Sequence, residues 1–381
     1  MSRAERSDRE RVSLPKKLVF STIMVVLALC GAEWITRITG VAEHCDVPYK
    51  NPRRVCDPIL NFKNDPAMKI NGEPLNRAGF RTHEFTRKSP EVYRIVSLGD
   101  SCTIGVFTDI KRFGYVRTPY PARLEQLISE RVVSPRVEVL NVGVGGYNSF
   151  HGLMLLRSKL RGLDPDLITV RFGWNDHFIS PWREERAFSE PENPLALALQ
   201  SVLLRTHLYP FFRRLALESR AGAHSARKPP LPTEWIPDVS VEQYEGILRR
   251  ITEVASSQGA EVWFLTAPDA FVTDEYRGRY EEYARNSTAR KILLFNALSS
   301  FERFTEIHAA YNQATRRMGQ QLGIHVVDMT AIYEQNADQH LFSPADAMHP
   351  LQAGHDLEAE ALFEELVARG VIETNSVGSR N

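Results

Sequence analysis

The chain has 381 residues, 43% of them hydrophobic and 25% charged, the composition of a globular protein with ample material for a core. Its 47 basic and 47 acidic side chains cancel, which speaks against a nucleic-acid binder, since such a protein needs a basic face for the phosphates. The four cysteines, Cys30, Cys45, Cys56 and Cys102, contain no CxxC pair, so neither a zinc ribbon nor a thioredoxin-like site is expected.

The N-terminus carries Arg3, Arg6, Arg9, Arg11, Lys16 and Lys17, partly offset by Glu5, Asp8 and Glu10. Residues 18–32 (LVFSTIMVVLALCGA) then run without a charge. At 1.5 Å per residue this run spans about 22 Å, and about 28 Å when continued past Glu33 to Thr36, close to the thickness of a bilayer core. Glu33 can snorkel at the far interface, and Trp34 suits that depth. Basic residues ahead of an apolar run predict a signal anchor, with residues 1–17 cytoplasmic and 18–36 spanning the membrane. A cleaved signal peptide, with Cys30-Gly31-Ala32 at the cleavage site, stays open as the alternative. Leu29 disfavours a lipoprotein site at Cys30, and the flanking charge disfavours a buried core helix. Both leading readings export residues 41–381, where Cys45 and Cys56 meet oxidising conditions. The loop between them holds Pro48 and Pro52, which favour turns and bring its ends together for a disulfide.

Residues 37–91 are rich in Pro, Asn and Arg and lack a periodic apolar pattern; they read as an extended connector packed on the domain that follows. From residue 92 the pattern changes. Tyr93–Leu98, Val137–Leu140, Leu167–Phe172, Glu261–Thr266 and Ile324–Val327 are short apolar runs suited to buried parallel strands. Helical spacing lies between them at 121–132 and 151–160, and Ser240 with Gln243 forms a capping box for a further helix. The last helix is expected over 352–368, with a flexible tail from 373 to 381. Strands alternating with helices predict a parallel five-stranded sheet covered on both faces. A long insertion, about 178–240, contains an apolar helical stretch over 195–217 with Arg205, Arg213 and Arg214. It reads as a helix packed beside the core, with a lid or membrane-facing element as the alternative.

Four short motifs fall at the ends of predicted elements. Gly99-Asp100-Ser101 follows the first strand, at the strand end where open α/β sheets bind ligands; alone it is an ordinary turn with an N-capping serine. The glycines of 141–148 (NVGVGGYN) follow the second strand and let backbone approach a ligand. Gly173-Trp174-Asn175-Asp176 brings an amide donor to the same edge after the third strand. Acyl transfer needs donors aimed at the developing oxyanion, and the Ser101 N–H, the Gly146 N–H and the Asn175 amide would supply three. Asp346-Ala347-Met348-His349 sets a carboxylate three residues before an imidazole, so that His349 can take a proton from Ser101 while Asp346 holds its tautomer. Asp100 is the less favoured choice for that acid, and Cys102 reads as a packing residue.

With all four motifs in this order, the chain resembles the SGNH (GDSL-like) hydrolase family over about residues 92–368, in its membrane-anchored bacterial form. Residues 76–81 (NRAGFR) are similar to a segment upstream of the catalytic domain in such members, and so is the anchor with Glu33 and Arg37. The resemblance implies a flavodoxin-like three-layer α/β/α sandwich over residues 92–372. It implies Ser101 as nucleophile, Asp346 and His349 as the rest of the triad, and Gly146 and Asn175 with Ser101 in the oxyanion hole. The insertion departs from better-known members and leaves the substrate open. The expected activity is hydrolysis of an O-acyl ester on a small molecule, glycan or lipid, without metal or organic cofactor. An O-acyltransferase using the same triad and a non-catalytic envelope scaffold or glycan-binding protein are the alternatives.

Overall fold

The computed structural model describes residues 14–41, 53–57, 59–109, 112–160, 162–177, 194–203, 206–213, 215–216, 237–270, 301–343 and 346–374. Helix α1 (Leu14–Thr39) comes first; its Pro15–Thr39 stretch is long and apolar enough to cross a membrane, and its most apolar window is nowhere buried. Two small hairpins follow, β1 (Arg54–Asp57) with β2 (Asn61–Asn64), and β3 (Lys69–Ile70) with β4 (Glu73–Pro74). The chain then enters β5 (Val92–Gly99), the short helix α2 (Ser101–Ile104), and a hairpin of β6 (Val106–Asp109) and β7 (Arg112–Tyr115). Next come α3 (Tyr120–Arg131), β8 (Val132–Ser134), β9 (Arg136–Asn141), α4 (Ser149–Ser158) and β10 (Leu167–Arg171). After α5 (Pro194–Leu203) and α6 (Val241–Ser257), β11 (Glu261–Leu265) leads to α7 (Phe301–Leu322) and β12 (His325–Val327). Helices α8 (Met329–Gln335) and α9 (Gln352–Ala368) and the short β13 (Glu373–Thr374) close the described chain.

Five of these strands form one sheet in the order β12-β11-β10-β5-β9, every pair parallel. In chain order that is 2-1-3-4-5, the flavodoxin-like winding, whose switch point lies between β5 and β10. Alternate side chains divide between two cores. Val96, Leu98, Ile168, Val170, Val262 and Phe264 pack with α4, α6 and α7 on one face. Ile95, Val139, Leu167, Trp263 and Leu265 pack with α3 and α9 on the other. The result is the expected three-layer α/β/α arrangement. Arg171, at the end of β10, is fully buried in an ion pair of 2.7 Å with Glu358 of α9. Glu358 also accepts from the Tyr333 hydroxyl at 2.8 Å, so α9 is tied to the edge of the sheet that carries the motifs.

Three expectations need correction. The described part of 37–91 is not merely extended: it holds the first two hairpins and sends Ile59, Leu60, Phe62 and Phe80 into the larger core. Strands of four and two residues bury too few side chains to set up a readable period. The stretch expected as one helix over 195–217 is broken. Helix α5 ends at Leu203, the Thr206 hydroxyl bonds Leu203 O at 2.7 Å, and Tyr209 N bonds that hydroxyl at 3.3 Å as helical structure resumes at 208. The tail expected from 373 begins as strand β13, antiparallel to β8. Cys45 and the side chain of Cys56 fall outside the described residues, as do residues 1–13.

Candidate active site

The sheet's switch point sets the site. Register places Gly99 of β5 beside Arg171 of β10, so the segments leaving these two strands diverge at adjacent positions. Asp100 caps α2: its Oδ1 accepts from Cys102 N at 2.8 Å. Ser101 thereby stands at the first position of α2, and the left-handed Gly105 closes that single turn by bonding Ser101 O. Gly99 must be glycine, because a Cβ there would lie 2.0 Å from Thr103 Oγ1.

Ser101 Oγ lies 2.8 Å from His349 Nε2, and His349 Nδ1 lies 2.7 Å from Asp346 Oδ2. Asp346 Oδ1 also accepts from the backbone N–H of Met348 and His349 at 2.9 and 3.1 Å. Burial works to raise the Asp346 pKa, but the His349 charge and these hydrogen bonds outweigh it and hold the carboxyl below its ordinary value. It is an ionised acceptor for the Nδ1 proton, which leaves Nε2 free to accept from serine. Cys102 Sγ donates to Met348 O at 3.3 Å, joining the nucleophile turn directly to the histidine loop. Asp100 makes no described bond to His349; it accepts from Asn175 Nδ2 at 3.3 Å, and burial, opposed by the Arg171 charge, raises its pKa.

The glycine loop lies against the same serine. Val144–Tyr147 is a turn closed by Tyr147 N bonding Val144 O at 3.1 Å, and Gly146, its third residue, has φ +88°, as a type II turn requires. A Cβ on Gly145 would lie 3.8 Å from Ser101 Cβ. Asn175 Nδ2 donates to Tyr147 O at 2.9 Å, joining the third motif to the second. Asp176 does different work: it accepts from Ser149 N, Ser149 Oγ and Gly173 N at 3.0, 2.5 and 2.9 Å, fastening the start of α4 to the end of β10. Burial pushes its pKa up to about 6 against these bonds. His177 turns away to His308, 3.1 Å distant.

The structure thus brings Ser101, His349 and Asp346 into hydrogen-bonding contact, sets Gly145 against Ser101, and bonds Asn175 to Asp100 and Tyr147 beside them. The sequence reading missed Arg54, whose Nη2 donates to Gly145 O at 2.5 Å while its guanidinium lies over the Phe62 ring, 4.0 Å from the centroid. Nothing in the sequence separates it from Arg53. No cluster of three or more His, Cys, Asp or Glu groups able to hold a metal occurs among the described residues.

The profile of the GDSL-like Lipase/Acylhydrolase family matches residues 97–357, more than half of the chain and all four motifs. The chain belongs to this family. It is a serine hydrolase that cleaves esters. No curated protein matches the sequence. Among solved structures, this GDSL-like hydrolase is similar to the lipase/acylhydrolase of Enterococcus faecalis, with 17% identity over 75% of this chain and 100% of that one, at a TM-score of 0.44. It is also similar to an acetylxylan esterase of Geobacillus stearothermophilus, with 15% identity over 72% of this chain and 94% of that one, at a TM-score of 0.40.

Proposed function

We propose that this GDSL-like hydrolase is a membrane-anchored esterase or deacylase that removes an O-acyl group from an envelope glycan or lipid through an acyl-enzyme on Ser101. The observation that carries the reading is the unbroken chain from Ser101 Oγ through His349 to Asp346, at 2.8 and 2.7 Å. In the first step His349 Nε2 takes the Ser101 proton as Oγ bonds to the acyl carbon, and Asp346 stabilises the imidazolium. The proton then passes to the leaving alcohol as the ester C–O bond breaks. Water repeats the sequence in reverse and frees the acid. The oxyanion donors are the backbone N–H of Ser101, the N–H of Gly146 and Asn175 Nδ2. One Asn175 hydrogen is engaged by Tyr147 O at 2.9 Å. The other makes only the longer 3.3 Å contact with Asp100 and is the one available to an oxyanion. Serine, histidine and these donors suffice without a metal or organic cofactor.

The proposed organisation is a cytoplasmic segment 1–17, a retained signal anchor 18–36, and a connector 37–91. The hydrolase domain 92–372 follows, facing the periplasm or outer milieu. The length and composition of α1 support the anchor, and the basic residues ahead of it support the orientation. The test is to incubate purified full-length protein with short acyl esters and acetylated glycans, measuring released acid beside acyl transfer to added sugars. Acid release is the expected result. Transfer exceeding hydrolysis would make it an acyltransferase, and neither product from any of these esters would contradict the proposed substrate class.

A further inference from the structure

The insertion leaves the hydrolase domain after the third motif and rejoins it at Val239, whose N–H bonds Asp176 O at 2.9 Å. Its described part is inside out for a surface in water. Helix α5 (PLALALQSVL) has no charged residue; it buries Gln200 and exposes Leu199 and Val202 by 59% and 56%. Phe212 and Leu215 are exposed as well. A helix bordering water turns its polar face outward, so this pattern calls for an apolar neighbour.

The contacts of residues 207–209 say which neighbour. Glu33, near the end of α1, accepts from His207 N at 2.9 Å and Leu208 N at 2.8 Å. Tyr209, the next residue, packs on the main core of the hydrolase. The insertion is thus a bracket, joined to α1 on one side and to the enzyme on the other. From Leu18 to Glu33 a helix rises about 22 Å, most of the roughly 30 Å of a bilayer's hydrocarbon core, with Lys16 and Lys17 at its cytoplasmic boundary. A carboxylate in a spanning helix belongs at the boundary of that core. Glu33 therefore sets His207 and Leu208 at the membrane surface, and α5 ends four residues before them.

We propose that residues 194–216 form a second membrane contact, lying in the interface of the lipid bilayer beside the outer end of α1. This rests on α1 being a membrane span. Leu199, Val202, Phe212 and Leu215 enter the acyl boundary, and Arg213 supplies positive charge for lipid phosphates. The enzyme is then held against the bilayer at a fixed height instead of hanging from a tether, and its substrate is an acyl ester at or near the membrane surface.

The test uses the full chain in nanodiscs of phosphatidylethanolamine and phosphatidylglycerol. p-Benzoylphenylalanine is placed singly at Leu199, Val202 or Phe212, with Val26 in α1 and the exposed Glu253 on α6 as references. Lipid adducts are read by mass spectrometry after illumination. The proposal expects adducts at positions 26, 199, 202 and 212 and none at 253. Adducts at 26 alone would overturn it, as would protein–protein cross-links in place of lipid adducts at 199, 202 and 212, or labelling at 253 equal to theirs. No adduct at 26 would overturn the membrane span itself and this proposal with it.

Arg54 carries a second, separate inference. It lies before residue 97, where the family match begins, yet it bonds the carbonyl of the Gly145–Gly146 peptide, whose N–H is the proposed oxyanion donor. In a trans peptide the C=O and N–H point in opposite directions, so a donor on one fixes the aim of the other. Glycine at 146 tolerates either sign of φ, so side-chain sterics at that residue do not stop the peptide from flipping. We infer that Arg54 is a positioning residue that holds this peptide plane, and its charge further polarises the N–H. This rests on the oxyanion-hole reading. Arg54→Ala should lower kcat about 10- to 100-fold, within the loss expected for one oxyanion donor, with KM nearly unchanged; Arg54→Lys should recover most of it. A rise in KM at constant kcat, or no effect while Asn175→Ala is impaired, would overturn the role of Arg54. Full activity in both Arg54→Ala and Asn175→Ala would overturn the oxyanion hole itself.

Discussion

Gly143→Ala is expected to damage catalysis and stability together, whereas Gly145→Ala, two residues on, should leave the fold intact. Neither glycine is among those with positive φ, so the backbone accepts alanine at both. The surroundings differ. At position 143 a Cβ would lie 2.6 Å from Ile104 N, 2.8 Å from Thr103 Cβ and 3.0 Å from Asp100 O. All three atoms belong to the turn that carries Ser101. Two are backbone, and the third is the stiff Cβ of a β-branched residue. Relief requires that turn to retreat by roughly 0.5–1 Å, and a misplacement of about 1 Å at reacting groups can cost about 100-fold in rate. Overpacking of a filled site costs about 1–3 kcal/mol, a fall of several degrees in Tm. At position 145 the nearest atom is Ser101 Cβ at 3.8 Å, ordinary contact, so Tm should stay within about 1 °C. The assay is thermal melting of both variants beside kcat on a short acyl ester. Wild-type Tm and kcat in Gly143→Ala would show that the glycine is not required by its contact with the nucleophile turn.

Asn175→Ala should lower turnover by about 10²–10³; an unchanged kcat would leave Asn175 only its structural bond to Tyr147 O. Asp176, its carboxyl pushed from an ordinary 3.8 to about 6 by burial, destabilises the fold when ionised, and the stability it loses falls between pH 4 and 6 as pH rises. Asp176→Asn lacks that titration, so its stability relative to wild type should improve by up to about 3 kcal/mol from pH 4 to pH 7. A constant difference in chemical denaturation at the two pH values would contradict the burial argument. Alkaline phosphatase fused after residue 381 should be active and membrane-bound if α1 is a retained anchor; release into the soluble periplasmic fraction would indicate cleavage after Ala32.

The sheet was readable because parallel strands buried on both faces form continuous apolar runs: Val92–Gly99 and Leu167–Arg171 needed only a residue or two of adjustment at their ends. Ser240 and Gln243 form the reciprocal cap that their spacing implied. Asp346 and His349 were visible for a similar reason, since three residues on one turn bring a carboxylate to an imidazole. What escaped depends on partners distant in sequence and bound by no period. Arg54 meets Gly145 across 91 positions, Cys102 meets Met348 across 246, and Glu33 meets His207 across 174. Single contacts of that kind leave no trace in local spacing. The first hairpin escaped because Ile59, Leu60 and Phe62 are a few buried apolar residues without a period in a largely polar stretch, and their burial is decided by the loop they cover.

In the proposed reaction Ser101 is the nucleophile, activated by His349. A fluorophosphonate probe followed by peptide mapping identifies the nucleophile, with a folded Ser101→Ala variant treated in parallel. One adduct, on the peptide containing Ser101, with neither labelling nor ester hydrolysis in Ser101→Ala, is the predicted result. An adduct on another residue, or full turnover by Ser101→Ala with an unchanged Tm, would rule Ser101 out as the nucleophile.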